Sequence, residues 1–169
     1  MSHIETERKY IISMPSVRVL CSLPEYTHSA IEQIYLESPI GITHRIRRRE
    51  YEDRVEYTET KKIRVSAISA IEDEREITED EYNALRRKIK VGTRPIIKSR
   101  HTLVVESQLY EIDIYPEWKN SAILEIELSD EGNTVKFPEF IKIIKEVSGL
   151  REYSNAAMSR TFPEETVNN

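Results

Sequence analysis

Residues 42–51 read Ile42-Thr43-His44-Arg45-Ile46-Arg47-Arg48-Arg49-Glu50-Tyr51. Read in period two, Thr43, Arg45, Arg47 and Arg49 share one face of a β-strand. The same charged alternation recurs along the chain. Glu5, Glu7 and Lys9 align, as do Glu59 and Lys61, then Glu72, Glu74 and Glu76. Further on, Lys98 aligns with Arg100, Glu111 with Asp113, and Glu125 with Glu127. In the last of these segments Ala122, Leu124, Ile126 and Leu128 occupy the opposite face.

Extended outward, this reading gives eight strands, at about 4–12, 30–37, 42–51, 54–62, 71–77, 94–105, 108–115 and 122–128. Short loops such as Ser38-Pro39-Ile40-Gly41 and Glu52-Asp53 join neighbours, so the sheet is antiparallel and built of hairpins. Eight strands is a number at which small barrels close. Two amphipathic helices are expected. The first runs from Thr78 to about Lys90, with Thr78 and Glu81 in capping-box spacing and Tyr82, Leu85 and Ile89 on one face. The second runs from about Pro138 to Ser148, with Phe140, Ile141, Ile144 and Val147 as its stripe and Gly149 as its stop. A shorter helix is placed between Ser16 and Leu23.

The 169 residues read as one domain over 1–163, with a polar, flexible tail at 164–169. The formal charge of −5 argues against a general binder of nucleic-acid backbones. A single cysteine, Cys21, excludes an internal disulfide framework. No apolar run reaches the ~18 residues of a membrane span, and the charged N-terminus lacks a signal-peptide core. A cytoplasmic protein that binds neither nucleic acid nor membrane is the expectation.

Like charges two apart on a strand lie ~6.5–7 Å from each other. In water their repulsion is ~0.6 kcal/mol, and in a partly desolvated cavity, at ε ≈ 20, ~2.4 kcal/mol per pair. Spacing alone leaves two arrangements open: a sheet with its charged faces in solvent, or an inside-out barrel with a charged bore. The signs are segregated strand by strand, whereas a merely soluble surface intersperses them. Clustered carboxylates suit a hard divalent cation, and clustered Arg and Lys suit phosphate oxygens. A ligand with both partners would be a metal-bound chain of phosphates. The apolar strand faces would then point outward, to be covered by the helices and by a second subunit in a homodimer.

The order of the motifs resembles the CYTH superfamily, the triphosphate tunnel metalloenzymes. Glu5-Thr6-Glu7-Arg8-Lys9 is similar to its ExExK signature, Gln33-Ile34-Tyr35-Leu36 to its QxYL strand and Arg45-Ile46-Arg47 to its RxR strand. Thr60-Lys61 resembles the TK lysine, Glu72 to Ile77 the ExExEI strand, and Lys98-Ser99-Arg100 the KxR strand. Glu111-Ile112-Asp113, Glu125-Ile126-Glu127 and Tyr153-Ser154-Asn155 resemble the ExD, late ExE and YSN elements. The chain departs from the pattern at Ala70, where the family often has Arg, and in the loop after Lys61. The resemblance implies a mainly β fold: a closed eight-stranded antiparallel barrel with a charged lumen and helices packed outside.

The resemblance also implies a small-molecule triphosphate substrate and Mg²⁺ or Mn²⁺ as cofactor. Hydrolysis of inorganic triphosphate to pyrophosphate and phosphate is the activity it favours. Adenylate cyclisation and non-catalytic polyphosphate binding are the alternatives. On this reading Glu5, Glu7, Glu125 and Glu127 hold the metal, and Glu5, Glu7 and Lys9 are the catalytic set. Lys9, Arg45, Arg47, Lys61, Lys98 and Arg100 grip phosphate. Glu72 and Glu74 are further candidates for the acidic set, Tyr35 for tuning water or metal position, and Asp113 for orienting a neighbouring cation. Tyr153 and Asn155 either plug one end of the tunnel or make a plain tail contact.

Overall fold

The computed structural model describes residues 2–166; Met1 and residues 167–169, half of the expected tail, lie outside the described residues. Among the described residues nine strands form one sheet. They are β1 (Ser2–Ser13), β2 (Thr27–Leu36), β3 (Ile42–Glu50), β4 (Val55–Arg64), β5 (Ser69–Glu76), β6 (Ile96–Val105), β7 (Gln108–Ile114), β8 (Ser121–Glu127) and β9 (Ile143–Glu146). The order is β5-β4-β3-β2-β6-β7-β8-β1-β9, and β1 also pairs with β5, so β1 to β8 close into an antiparallel barrel. The fold class read from the sequence is the one observed, with all eight expected strands present.

Closure depends on a division of labour along one edge of β1. Its first half, Ser2 to Thr6, pairs with β5, while Tyr10 to Ile12 pair with β9. On the other edge Glu7 to Ser13 pair with β8. The tightest hairpin, β6–β7, turns through Glu106 and Ser107, both at positive φ, the geometry that matches strand twist in two-residue turns.

Helix α1 covers Val17–Cys21 and α2 covers Glu79–Arg86. The capping box of α2 is formed: Glu81 N–H donates to Thr78 Oγ1 at 3.2 Å and Thr78 N–H to Glu81 Oε2 at 2.8 Å. The helix stops short of Lys90 because β2 captures the next residues. Ile89 bridges Leu36, and Lys90 N–H donates to Tyr35 O at 2.8 Å.

The expected helix at 138–148 is a correction. Residues 143–146 form strand β9 instead. The edge of β1 beyond Thr6 is left open by β5, and buried backbone groups there require partners. Ile143 and Ile144 are β-branched and suit that role. The apolar residues serve two opposite sides of the sheet, Ile141 and Ile143 outside and Ile144 and Val147 inside, which one helical stripe cannot do.

Three apolar clusters result. Leu20, Leu23 and Tyr26, with Val135 to Ile143, cover the outer face of β1, β7 and β8 around Tyr10, Ile112, Leu124 and Ile126. Helix α2 covers Ile34 and Ile46. The third cluster lies inside one end of the barrel, where the inward side chains turn from charged to apolar: Ile11, Tyr35, Ile96, Tyr115 and Ile123. Trp118, Val147, Tyr153 and Met158, the last from α3 (Asn155–Met158), close over them. Tyr115 Oη donates to Asn155 Oδ1 at 2.8 Å. The bore is therefore blind at this end. Among the described residues no helix is long and apolar enough to cross a membrane.

Candidate functional site

Register places charged side chains from seven of the eight barrel strands on the inner face, and β2 adds Gln33 and Tyr35 there. Glu7 lies opposite Glu127 and Lys9 opposite Glu125; Glu111 also faces Glu125. Across the barrel Arg45 pairs with Tyr35 and Thr60, Thr60 with Glu74, and Lys62 with Glu72. Alternation thus built a bore carrying both signs, with Ile46, Ile112, Leu124 and Ile126 turned outward to the covered clusters.

One wall is a saturated ionic network. Asp113, fully buried, accepts from Lys98 Nζ at 2.5 Å and from Arg100 Nε and Nη2 at 2.7 Å each. Arg100 also reaches Glu111 and Glu125, both at 2.6 Å, and Lys9 sits 3.0 Å from Glu125 and 3.5 Å from Glu7. Burial favours the neutral form of Glu125, but Lys9, Arg100 and Lys98 outweigh it and hold its pKa well below the usual range. Asp113 is held low the same way, by Arg100 and Lys98 against burial.

The facing wall is under-satisfied. Arg45 lies 3.8 Å from Glu72 and 3.4 Å from Gln33 Oε1; Arg47 lies 3.4 Å from Glu74. Among the described residues both guanidinium Nε atoms are buried without a hydrogen-bond partner, as is Thr58 Oγ1; Thr102 Oγ1, on β6 next to Arg100, is another such atom. Burial and the like charges of Arg45, Arg100 and Arg49 outweigh Glu74 and pull Arg47 down to about 10. Gln33 donates to Tyr35 Oη at 2.6 Å, a chain that steadies Arg45.

The acidic end is also strained electrostatically. Glu7 is raised to about 7 by burial and by Glu125, against Lys9. Glu5 is raised by burial and Glu72, against Lys62, and Glu127 by burial and Glu5. Lys62 Nζ bridges Glu5 at 2.5 Å and Glu72 at 2.7 Å. A concavity of about 440 Å³ lies here, its lining including Glu7, Lys9, Lys62, Arg64, Ala70 and Tyr153.

The residues singled out from sequence divide as follows. Glu5, Glu7, Lys9, Tyr35, Arg45, Arg47, Glu72, Glu74, Lys98, Arg100, Asp113, Glu125 and Glu127 share the inner face. Lys61 does not. It is exposed on the outer face, and its neighbour Lys62 occupies the bore. The signal was present: Tyr57 and Ile63 share the parity of Lys61 and mark the outward face of β4. Glu125 is already bonded to Lys9 and Arg100, which sets it apart from the other proposed metal ligands. Among the described residues no three His, Cys, Asp or Glu side chains stand gathered as a ready-made metal site. Sequence reasoning also passed over Lys62, Thr58 and Thr60.

No family model and no curated protein matches the chain. Solved structures do. The inorganic triphosphatase NE1496 is 23% identical, over 95% of this chain and 97% of its own, with a TM-score of 0.59. The PH1819 protein of Pyrococcus horikoshii OT3 is 20% identical over 75% of this chain and 80% of its own, with a TM-score of 0.55. A provisionally assigned adenylate cyclase of Bacillus halodurans is 19% identical over 77% and 83%, with a TM-score of 0.50. The chain thus shares with these structures its fold, a mainly β architecture closed into an antiparallel barrel.

Proposed function

We propose that the chain is a divalent-metal-dependent hydrolase of a triphosphate, cleaving inorganic triphosphate to pyrophosphate and phosphate. One observation carries this reading: among the described residues, Arg45 and Arg47 bury Nε donors that no protein acceptor satisfies, in a bore where Arg100 is fully engaged. Buried donors of this kind fit an anion rich in oxygen. The fold likeness to an inorganic triphosphatase supports it.

Arg45 and Arg47 bind the phosphate chain first, since their Nε donors are uncommitted. Lys9, Lys98 and Arg100, held by Glu125 and Asp113, line the opposite wall and offset the charge that grows on the leaving oxygens. Glu5, Glu7 and Glu127 fit a hard cation in donor chemistry: they are oxygen ligands, raised by burial and by their acidic neighbours, so a second cation would relieve them. Glu72 joins them if Lys62 moves aside. Bound Mg²⁺ or Mn²⁺ would supply charge neutralisation and a more acidic water. Water oxygen bonds to the terminal phosphorus, the bridging P–O bond breaks, and pyrophosphate leaves. Carboxylates at the acidic end accept the water's proton.

The test is a phosphate-release assay on inorganic triphosphate, ATP and thiamine triphosphate, each with Mg²⁺ and with Mn²⁺. Rapid metal-dependent release from inorganic triphosphate is expected. Cyclic AMP with pyrophosphate from ATP would select cyclisation, and tight triphosphate binding without release would select a binding module.

A further inference from the structure

Two loops at the closed end of the barrel are built alike. In Pro39-Ile40-Gly41-Ile42, Ile42 N–H donates to Pro39 O at 3.1 Å; in Lys90-Val91-Gly92-Thr93, Thr93 N–H donates to Lys90 O at 3.1 Å. Gly41 has φ +87° and Gly92 φ +79°, so each loop carries the signature of a type II turn with an aliphatic residue at its leading corner. Among the described residues Ile40 and Val91 are the most exposed large apolar side chains, at 106% and 86%. Both loops contribute to one concavity of about 330 Å³, its lining including Ser38, Thr43, Lys90, Thr93 and Arg160. A membrane surface is no part of the sequence-based expectation, but the charge of −5 is unevenly spread. Residues 82–105 hold seven Lys and Arg and no Asp or Glu. Lys98 and Arg100 serve the bore, and Arg86 is bound to Glu32. Arg87, Lys88, Lys90 and Arg94 remain at the surface. Arg160 joins them, its Nη1 3.4 Å from where a Cβ on Gly92 would lie. Two acids nearby are held loosely: Glu37 is 3.8 Å from Lys90 and Glu117 3.5 Å from Arg94. Among the described residues Arg87, Lys88 and Arg160 make no ion pair.

We propose that this closed end docks on an anionic phospholipid surface, with a lipid phosphate in the concavity on Lys90 and Arg160 and with Ile40 and Val91 entering the boundary of the acyl layer. The arrangement identifies the occupant. Two aliphatic corners set beside a cationic hollow match a layer in which negative charge lies directly above hydrocarbon. A protein partner would instead call for a continuous apolar centre, and a free phosphate would make no use of the corners. Docked in this way, the plug of Tyr115, Trp118 and Tyr153 lies toward the lipid, and the open end of the bore stays in water. This proposal does not depend on the chemistry assigned to the bore.

The test is flotation of the full chain with vesicles of phosphatidylcholine alone and of phosphatidylcholine mixed with phosphatidylserine, with melting curves to check folding. Binding to the mixed vesicles, weakened by salt, and none to phosphatidylcholine alone are expected. Ile40→Ser combined with Val91→Ser should abolish flotation at an unchanged Tm, since both side chains already stand in solvent. Lys90→Ala and Arg160→Ala should each weaken binding about fivefold, the worth of one basic residue at an anionic surface. A chain that does not float with the mixed vesicles, one that floats equally with both kinds, or a double serine variant that floats as well as the unaltered chain overturns the proposal. Inorganic phosphate that binds by calorimetry and is lost in Arg160→Ala, with no flotation, would assign the hollow to a free anion and overturn it as well.

Discussion

Asp113→Asn tests the idea that the bore is a buried ionic lattice. Asp113 has no exposed surface and takes three donated bonds, one from Lys98 and two from Arg100. The amide keeps the shape but removes the charge. It leaves the Lys98 ammonium, whose side chain is 2% exposed, beside a group that no longer neutralises it. Breaking a buried pair from one side costs about 3–5 kcal/mol. For a chain of this size about 1 kcal/mol moves Tm by 2–4 °C, so a fall of roughly 6–20 °C is expected. The assay is thermal and urea unfolding at neutral pH. Adding Lys98→Met, which removes the stranded ammonium, should recover much of the loss, because an apolar replacement of a buried pair is often close to neutral. The pH dependence has a defined sign. Arg100 and Lys98 depress the folded pKa of Asp113. Its contribution is therefore present above the unfolded value of ~3.9 and lost as pH falls through the folded one. The gap between the two proteins should stay constant from pH 5 to 8 and close only in strong acid. A variant within about 1 kcal/mol of the unaltered chain at pH 7 would refute the reasoning, since that is the worth of a surface pair.

Glu7→Gln should abolish turnover and, in metal-free buffer, raise stability at pH 8 with little change at pH 5. The folded pKa of about 7 lies above the unfolded one, so ionising Glu7 costs stability as pH rises between them; equal melting curves for the two proteins at pH 8 would count against it. Inorganic triphosphate should raise the Tm of the unaltered chain, and Arg47→Met should cancel that rise without lowering the ligand-free Tm, because Arg47 is buried among like charges. Gly149→Ala should lower Tm by several degrees. Gly149 has φ +73° and a Cβ there would meet Ala67 O at 2.9 Å, so an unchanged Tm would mean that turn relaxes freely.

The barrel was legible because charge, rather than hydrophobicity, marks its inner face. Arg45 and Arg47, Lys98 and Arg100, and Glu125 and Glu127 alternate with Ile46, Ser99 and Ile126, so one reading fixed both the strands and their polarity. On β4 both parities are polar at 58–62, and the choice of Lys61 over Lys62 went against the weaker signal of Tyr57 and Ile63. The segment 138–148 misled for a different reason. Its apolar spacing fits a helix, and only the vacant edge of β1, created at the other end of the chain, makes it a strand. The plug of Tyr115, Trp118 and Tyr153 could not be read from any local pattern, since its members meet only in the closed barrel. The same is true of the idle Nε donors of Arg45 and Arg47.

The way β1 is held has a consequence for how the molecule comes into being. Its first half joins β5, its second joins β9, and its far edge joins β8. During synthesis β2 to β5 can zip up as successive hairpins, but the earliest-made strand must wait for one of the last before the ring exists. Contacts so remote in sequence make for slow folding. Until that late step, the charged wall is the concave side of an open, fully hydrated sheet. The acids of β1 lose water and acquire their perturbed affinities for protons only when the ring shuts. Site formation and completion of the fold are therefore one kinetic event.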